Sequence, residues 1–243
     1  MKYLLKLWII WIALLIFNTE PVFSQQIFKF PQSIKYNIHK NGKKTNERSI
    51  FTFTEKGRYT GTANSTFKFI DKKKNTNEIH TYLKSLDYSY LSSSFLSNSK
   101  RNMEIKVAHG KGFDQSDTMM IQFQTDKRSG FEPLCKSLLF IDLNTALIIS
   151  SHATCLNLPF SKDCYYYSFT DNKIKLAKIE IDRKETVFIK GKKVISSVFK
   201  IQTKHDDEEI DIFIYNDSKG YFIPAIISWK NLNIKFSLDQ IIF

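Results

Sequence analysis

The sequence predicts a mainly β protein with minor α. Its antiparallel sheet is expected to curl into a half-barrel or flattened barrel, with one or two helices on the concave face. Three observations lead there. Short segments rich in β-branched and aromatic residues recur at intervals of about 8–12 residues, the spacing of a sheet that curls or closes. Turn residues punctuate those segments. One continuously apolar stretch, 134–151 (LCKSLLFIDLNTALIISS), has no such punctuation and reads as a buried helix, with a crossing strand as its rival. There is no glycine-rich linker and no internal repeat, so a single domain is expected after the N-terminal segment.

The elements follow in order. Ile34, Tyr36 and Ile38 alternate with polar residues and run into Asn41-Gly42, a pair that accepts the positive φ of a tight hairpin turn. Phe51 and Phe53 mark the return strand, Lys56-Gly57 the next turn, and 60–70 a third strand with Phe67 and Phe69 on one face. In 77–91, Ile79, Tyr82, Leu83, Leu86 and Tyr90 recur at helical spacing with Asn77 as a cap, which predicts a helix. The serine and tyrosine richness of that stretch suits an extended edge equally. Strands are expected at 103–108 and 118–125. From Cys164 onward they are expected at 165–169, 173–182, 185–190, 194–203, 209–216, 223–228 and 232–238. Asp171-Asn172, Asp182-Arg183, Gly191, 205–208 and 217–220 serve as turns.

Residues 1–24 read as a cleavable secretory signal. Lys2 and Lys6 form a basic n-region, 7–17 is an unbroken apolar run, and Val22 and Ser24 are small enough at −3 and −1 to place the new N-terminus at Gln25. The run falls short of the roughly 20 apolar residues that span a bilayer; the competing reading is an uncleaved anchor extended back to Leu4. The organisation is thus a signal peptide, 1–24, and one β-rich exported domain, 25–243. The expected location is periplasmic or secreted, with at most peripheral contact with a membrane.

Lys and Arg number 36 against 24 Asp and Glu, a formal charge of +12 that becomes +11 once Lys2, Lys6 and Glu20 leave with the signal. Only five of the 36 are arginines (48, 58, 101, 128, 183), whereas readers of phosphate and base edges lean on the planar arginine fork. Nucleic acid is therefore not an expected partner, while weak attraction to an anionic membrane surface fits the lysines. In an oxidising compartment, Cys155 and Cys164, which bracket a short proline-containing loop, are the favoured disulfide. The third thiol, Cys135, is then left as a small buried hydrophobe.

Candidate chemistry is sparse, and no catalytic residue, metal site or cofactor is expected. The run His205-Asp206-Asp207-Glu208-Glu209 concentrates metal-binding side chains but lacks the alternating spacing and the glycine of a calcium loop, so it reads as a solvated hairpin tip. Asp114 and Asp117 could form a carboxylate pair, yet they sit in a turn-like sequence. His109-Gly110-Lys111-Gly112 lacks the remaining glycine of a phosphate loop. Cys135 with His152 has no evident third group to orient the imidazole, and there is no G-x-S-x-G. His39 and His80 read as ordinary strand or helix residues. Asn64 and Asn216 head glycosylation sequons that matter only on a eukaryotic route. The 21 Phe and 11 Tyr make either a filled aromatic core or a ligand-holding hollow.

The second half carries a looser pattern. It consists of Asp142-Leu143-Asn144-Thr145-Ala146-Leu147 in the apolar stretch, Leu158-Pro159, the strand 211–215, Tyr221-Phe222-Ile223-Pro224 and a last amphipathic strand with Leu238. In this it resembles a family of exported bacterial proteins known only as a domain of unknown function, distantly similar to the periplasmic carriers and receptors that localise lipoproteins. The resemblance implies a curved antiparallel sheet wrapped around helices, with acyl chains held in an apolar hollow, and an envelope compartment. It supplies no catalytic residue. Two functional expectations result. One is a non-enzymatic envelope protein binding a hydrophobic or lipid-bearing ligand in the concave face. The other is a solid-core interaction module that docks a protein partner by a strand edge.

Overall fold

The computed structural model describes residues 28–243 apart from 57–61, 85–89, 99, 112–116, 126–128, 135–137, 158, 169–170, 172 and 206. Among the described residues the chain runs as β1 (Ser33–Lys40), β2 (Lys43–Lys56), β3 (Thr62–Ile70), β4 (Thr76–Lys84), β5 (Tyr90–Ser97), β6 (Lys100–Lys111), β7 (Asp117–Thr125), β8 (Ser129–Leu134), β9 (Leu139–Ile141), α1 (Leu143–Cys155), β10 (Ser161–Ser168), β11 (Lys173–Ile189), β12 (Lys192–Thr203), β13 (Glu209–Asn216), β14 (Phe222–Trp229) and β15 (Ile234–Ile242). All fifteen strands join one sheet.

The sheet is centred on its first strand. β1 pairs with β2 on one side and β15 on the other; the order continues to β8 in one direction and back through β14 to β9 in the other. Neighbouring strands in the sheet pair antiparallel except β9 and β10, which are parallel. Parallel neighbours need a crossover, and that is where the helix falls, between β9 and β10. The tight turns are those their residues favour: Asn41-Gly42 and Lys190-Gly191 both have positive φ at the two central positions.

Strand alternation turns one face inward. Ile34, Tyr36 and Ile38 of β1, Phe51 of β2, Ile179 of β11, Ile210 and Ile212 of β13 and Ile227 of β14 are all buried in a single cluster. Helix α1 is buried on ten of its thirteen residues and packs against β13 and β14 on one side and β3 and β4 on the other. It has no polar stripe because both of its sides face sheet.

The sheet rolls up without hydrogen-bonding its two edges into a closed barrel. Side chains make the closure instead. Phe140 of β9 stacks edge-on against Tyr90 of β5 at 4.6 Å, Tyr167 of β10 lies 4.6 Å from Phe95 of β5, and the Tyr167 hydroxyl donates to Met103 Sδ of β6 at 2.9 Å. The β9–β10 end is thus tucked against the inner face of β5 and β6.

The mainly antiparallel, curled sheet with a helix on its concave side is as the sequence predicts, and three local readings are corrected. The stretch 77–84 is not helical but strand, and 85–89 lie outside the described residues: Ile79, Thr81 and Leu83 alternate inward along β4, and Tyr90 opens β5. The period-two burial outweighs the coincidental helical spacing, because polar Thr76–Lys84 can be extended only where its odd residues meet the core. In the apolar stretch, Leu139–Ile141 is a strand and the helix starts at Leu143. Asp182-Arg183 is no turn but a bulge in one 17-residue strand, β11.

The helix is fixed by its cap. Asp142 is 1 % exposed and accepts from Thr145 N and Thr145 Oγ1, both at 2.8 Å, through Oδ1. Its Oδ2 accepts from Thr81 Oγ1 of β4 at 2.6 Å and Ser93 Oγ of β5 at 2.5 Å. Replacing it, Asp142→Ala, removes a helix cap and orphans buried donors, and should lower unfolding free energy by about 2–4 kcal/mol in urea titration. A loss under about 0.5 kcal/mol, the size of a neutral surface change, would contradict this role.

Candidate functional site

Three places in the molecule concentrate polar or accessible groups. The first is the Asp142 network. Asn144, one residue into the helix, extends it by donating Nδ2 to Ile79 O at 2.9 Å and Thr81 Oγ1 at 3.0 Å. Every member lies in the packed interior. A carboxylate already accepting four hydrogen bonds has little capacity left for a substrate, so this is a structural centre.

The second surrounds Glu208, 3 % exposed at the entry to β13. Its Oε1 accepts from Trp229 Nε1 at 3.1 Å and Ser168 Oγ at 3.2 Å, and its Oε2 accepts from Lys175 Nζ at 2.8 Å. Lys175 also reaches Asp171 at 2.9 Å. Burial would push the Asp171 carboxyl up, but the bonds from Lys175 and Ser168 outweigh it and hold the pKa below the ordinary carboxylate value. A buried ion pair joins β10, β11, β14 and the entry to β13.

The third is a cleft of about 650 Å³ at the margin of the sheet. Residues 28–32 cross this end, bonded by Phe53 N to Gln32 O at 2.9 Å and Phe222 N to Lys29 O at 3.3 Å. Phe30 packs edge-on to both Phe51 and Phe53 and so seals the core beneath. Phe28, Phe53, Tyr221 and Ile242 supply apolar walls, while Lys29 and Glu55 sit among the polar ones. Its size is that of a small-molecule site.

The residues singled out from the sequence do not converge. His39 bonds Ser237 Oγ on β15, His80 meets Thr66 and Glu78 on the β3–β4 surface, and His152 lies on α1 with its ring 5.0 Å from Phe28. Asp114 and Gly112 lie outside the described residues, as does Cys135; Asp117 begins β7 and His109 lies within β6. The run 205–209 is corrected: His205 and Asp207 are exposed, but Glu208 is buried and Glu209 pairs with Lys200 and Lys230. The expected Cys155–Cys164 bridge is not formed; both are buried thiols. Burial drives the Cys164 thiol up to about 12 and raises Cys155 as well. Among the described residues no three His, Cys, Asp or Glu side chains gather as metal ligands, and no helix is long and apolar enough to cross a membrane.

The Asp142 and Glu208 networks were missed in the sequence reading. The available signal was the intrusion of Thr81 and Ser93 into otherwise apolar inward positions, and Asp142 three residues ahead of Thr145 at the mouth of an apolar run.

No protein-family model matches the chain, and no curated protein matches it in sequence. A search of solved structures does find likeness. The β-barrel-like protein of domain of unknown function DUF1849 from Brucella abortus superposes with a TM-score of 0.54, covering 88 % of this chain and 98 % of that one. The fold is barrel-like. At 8 % identity the likeness extends to architecture alone. It bears out the expected fold and does not bear on export or on similarity to lipoprotein carriers.

Burial beside Phe28 lowers the His152 pKa below 6.5, although the carbonyl end of α1 would favour its charged form. His39 is lowered too, by burial and by Lys235 and Lys44. Both groups bind protons less readily folded than unfolded. Their contribution to stability is therefore complete above pH 6.5 and is lost as pH falls through the depressed folded values. Urea midpoints should drop between about pH 7.5 and about pH 5.5, and His152→Gln should flatten the drop; a midpoint that rises on acidification would contradict the assignment.

Proposed function

We propose that this chain is a non-enzymatic, exported envelope protein that acts through surface contacts around a solid interior. The observation that carries the reading is the filling of the concave face. Helix α1 occupies the space that an enclosed ligand would need, with Leu147 and Ile148 fully buried and Phe51, Phe67, Phe199 and Ile212 closing in from the sheet. The inward aromatics are spent on this core. Surfaces for contact exist at the sheet's edge, where Phe131 on β8 is 63 % exposed, since an edge strand offers unpaired backbone groups to a partner. Export rests on the signal-like residues 1–24, which precede the described part of the chain.

The cleft favours a second reading. Its apolar walls and the Lys29 ammonium beside them would suit the end of an amphipathic, acyl-type ligand. Such a ligand would lie outside the core, against Phe28, Phe30 and Phe53, rather than in the concave face.

Native mass spectrometry of protein recovered from the exported fraction, with organic extraction of anything bound, separates the two. A chain beginning at Gln25 with no added mass, before and after incubation with envelope lipids, is the expected result. A discrete lipid adduct that survives purification would overturn the solid-interior reading in favour of the cleft.

A further inference from the structure

The β11–β12 hairpin runs past the rest of the sheet. β10 pairs with β11 only as far as Glu180, and β13 pairs with β12 only from Ser197 onward, so residues beyond these form a two-stranded ribbon. The bulge at Ile181/Arg183 bends it, and Arg183 pins its base by ion pairs to Asp182, Glu185 and Asp211. One face of the ribbon is packed: Val187 joins the outer cluster of Val198, Phe213 and Ile226, while Ile189 and Ser196 are buried.

The other face is unlike an ordinary strand exterior. Phe188 and Ile195 are 71 % and 70 % exposed, the most exposed of the large hydrophobic side chains among the described residues. Phe188 pairs across with Lys193 and Ile195 with Thr186, which places the two apolar side chains diagonally on one face. Lys184 shares that face, Lys190 forms the turn, and Lys192, paired across with Ile189, lies on the packed side. None of these four lysines is ion-paired among the described residues, and past Glu185 the ribbon carries no acid.

We infer that this ribbon docks the protein onto an anionic lipid bilayer. Phe188 and Ile195 would enter the headgroup boundary while Lys184, Lys190 and Lys193 meet lipid phosphates. The charge is complementary to such a surface. Two apolar side chains also cover far less than the roughly 1,000 Å² that a specific protein interface needs. They do suffice as anchors when basic residues add attraction to anionic headgroups. The inference extends the surface-contact reading and names its target, but a bound ligand in the cleft would leave it standing.

The test is sedimentation of the mature protein with phosphatidylglycerol–phosphatidylcholine vesicles and with pure phosphatidylcholine vesicles. Binding to the anionic vesicles only, weakened by salt, is expected. Each of Lys184→Gln, Lys190→Gln and Lys193→Gln should weaken it about fivefold. Phe188→Asp with Ile195→Asp should abolish it, and Phe188→Trp should show a blue-shifted emission on anionic vesicles. These positions are exposed, and circular dichroism checks that the variants fold. Absence of binding to anionic vesicles, equal binding by the aspartate variant, or self-association through Phe188 without lipid binding would each overturn the inference.

Discussion

A single buried carboxylate ties the two arms of the sheet together. Asp142 begins the helix and, with the same side chain, accepts hydrogen bonds from β4 and β5, which lie on the opposite arm of the roll. Without a closed ladder, nothing in the backbone fixes how tightly an open sheet of this length curls. The cap does so locally, because a buried carboxylate is tolerable only while its donors stay in place. Tyr90–Phe140 and Phe95–Tyr167 then pack the seam that the cap has aligned. The depth of α1 and the filling of the concave face both depend on that alignment.

Outside that seam, the sheet obeys simple alternation, which is why so much of it was legible in the sequence. The strands from Cys164 to the C-terminus, and the Asn41-Gly42 and Gly191 turns, follow directly from period two and from residues that accept positive φ. The misreading of 77–91 has a physical origin. Ile79 and Leu83, four apart, satisfy both a helical and an extended pattern, and only the partners across β3 and β5 decide between them. A bulge such as that at Asp182 is likewise invisible locally, because the same residues that make turns also make bulges.

The candidate sites were less legible. Clusters in sequence, such as 205–209, were pulled apart by strand alternation, which sends Glu208 toward Trp229 and Glu209 toward Lys200. The residues that do meet, Asp142 with Thr81 and Ser93, or Glu208 with Lys175 and Ser168, are separated by dozens of positions. Sheet topology brings them together. The exposed Phe188 and Ile195 could not be told from core residues by pattern, since each alternates as an inward residue would; the ribbon carries them past the strands that flank the core. A barrel-like protein that shares this architecture at 8 % identity shows that quite different side chains can build the same frame.

Native-state hydrogen exchange tests the central claim most directly. If the Asp142 cap locks the roll, amides of α1, β4, β5 and β9 should exchange together, at the slowest rate in the protein, and Asp142→Asn should accelerate all four elements in common. Fast, independent exchange of β4 and β5 with α1 still protected would mean that the helix and that arm of the sheet are not coupled, and would contradict the account.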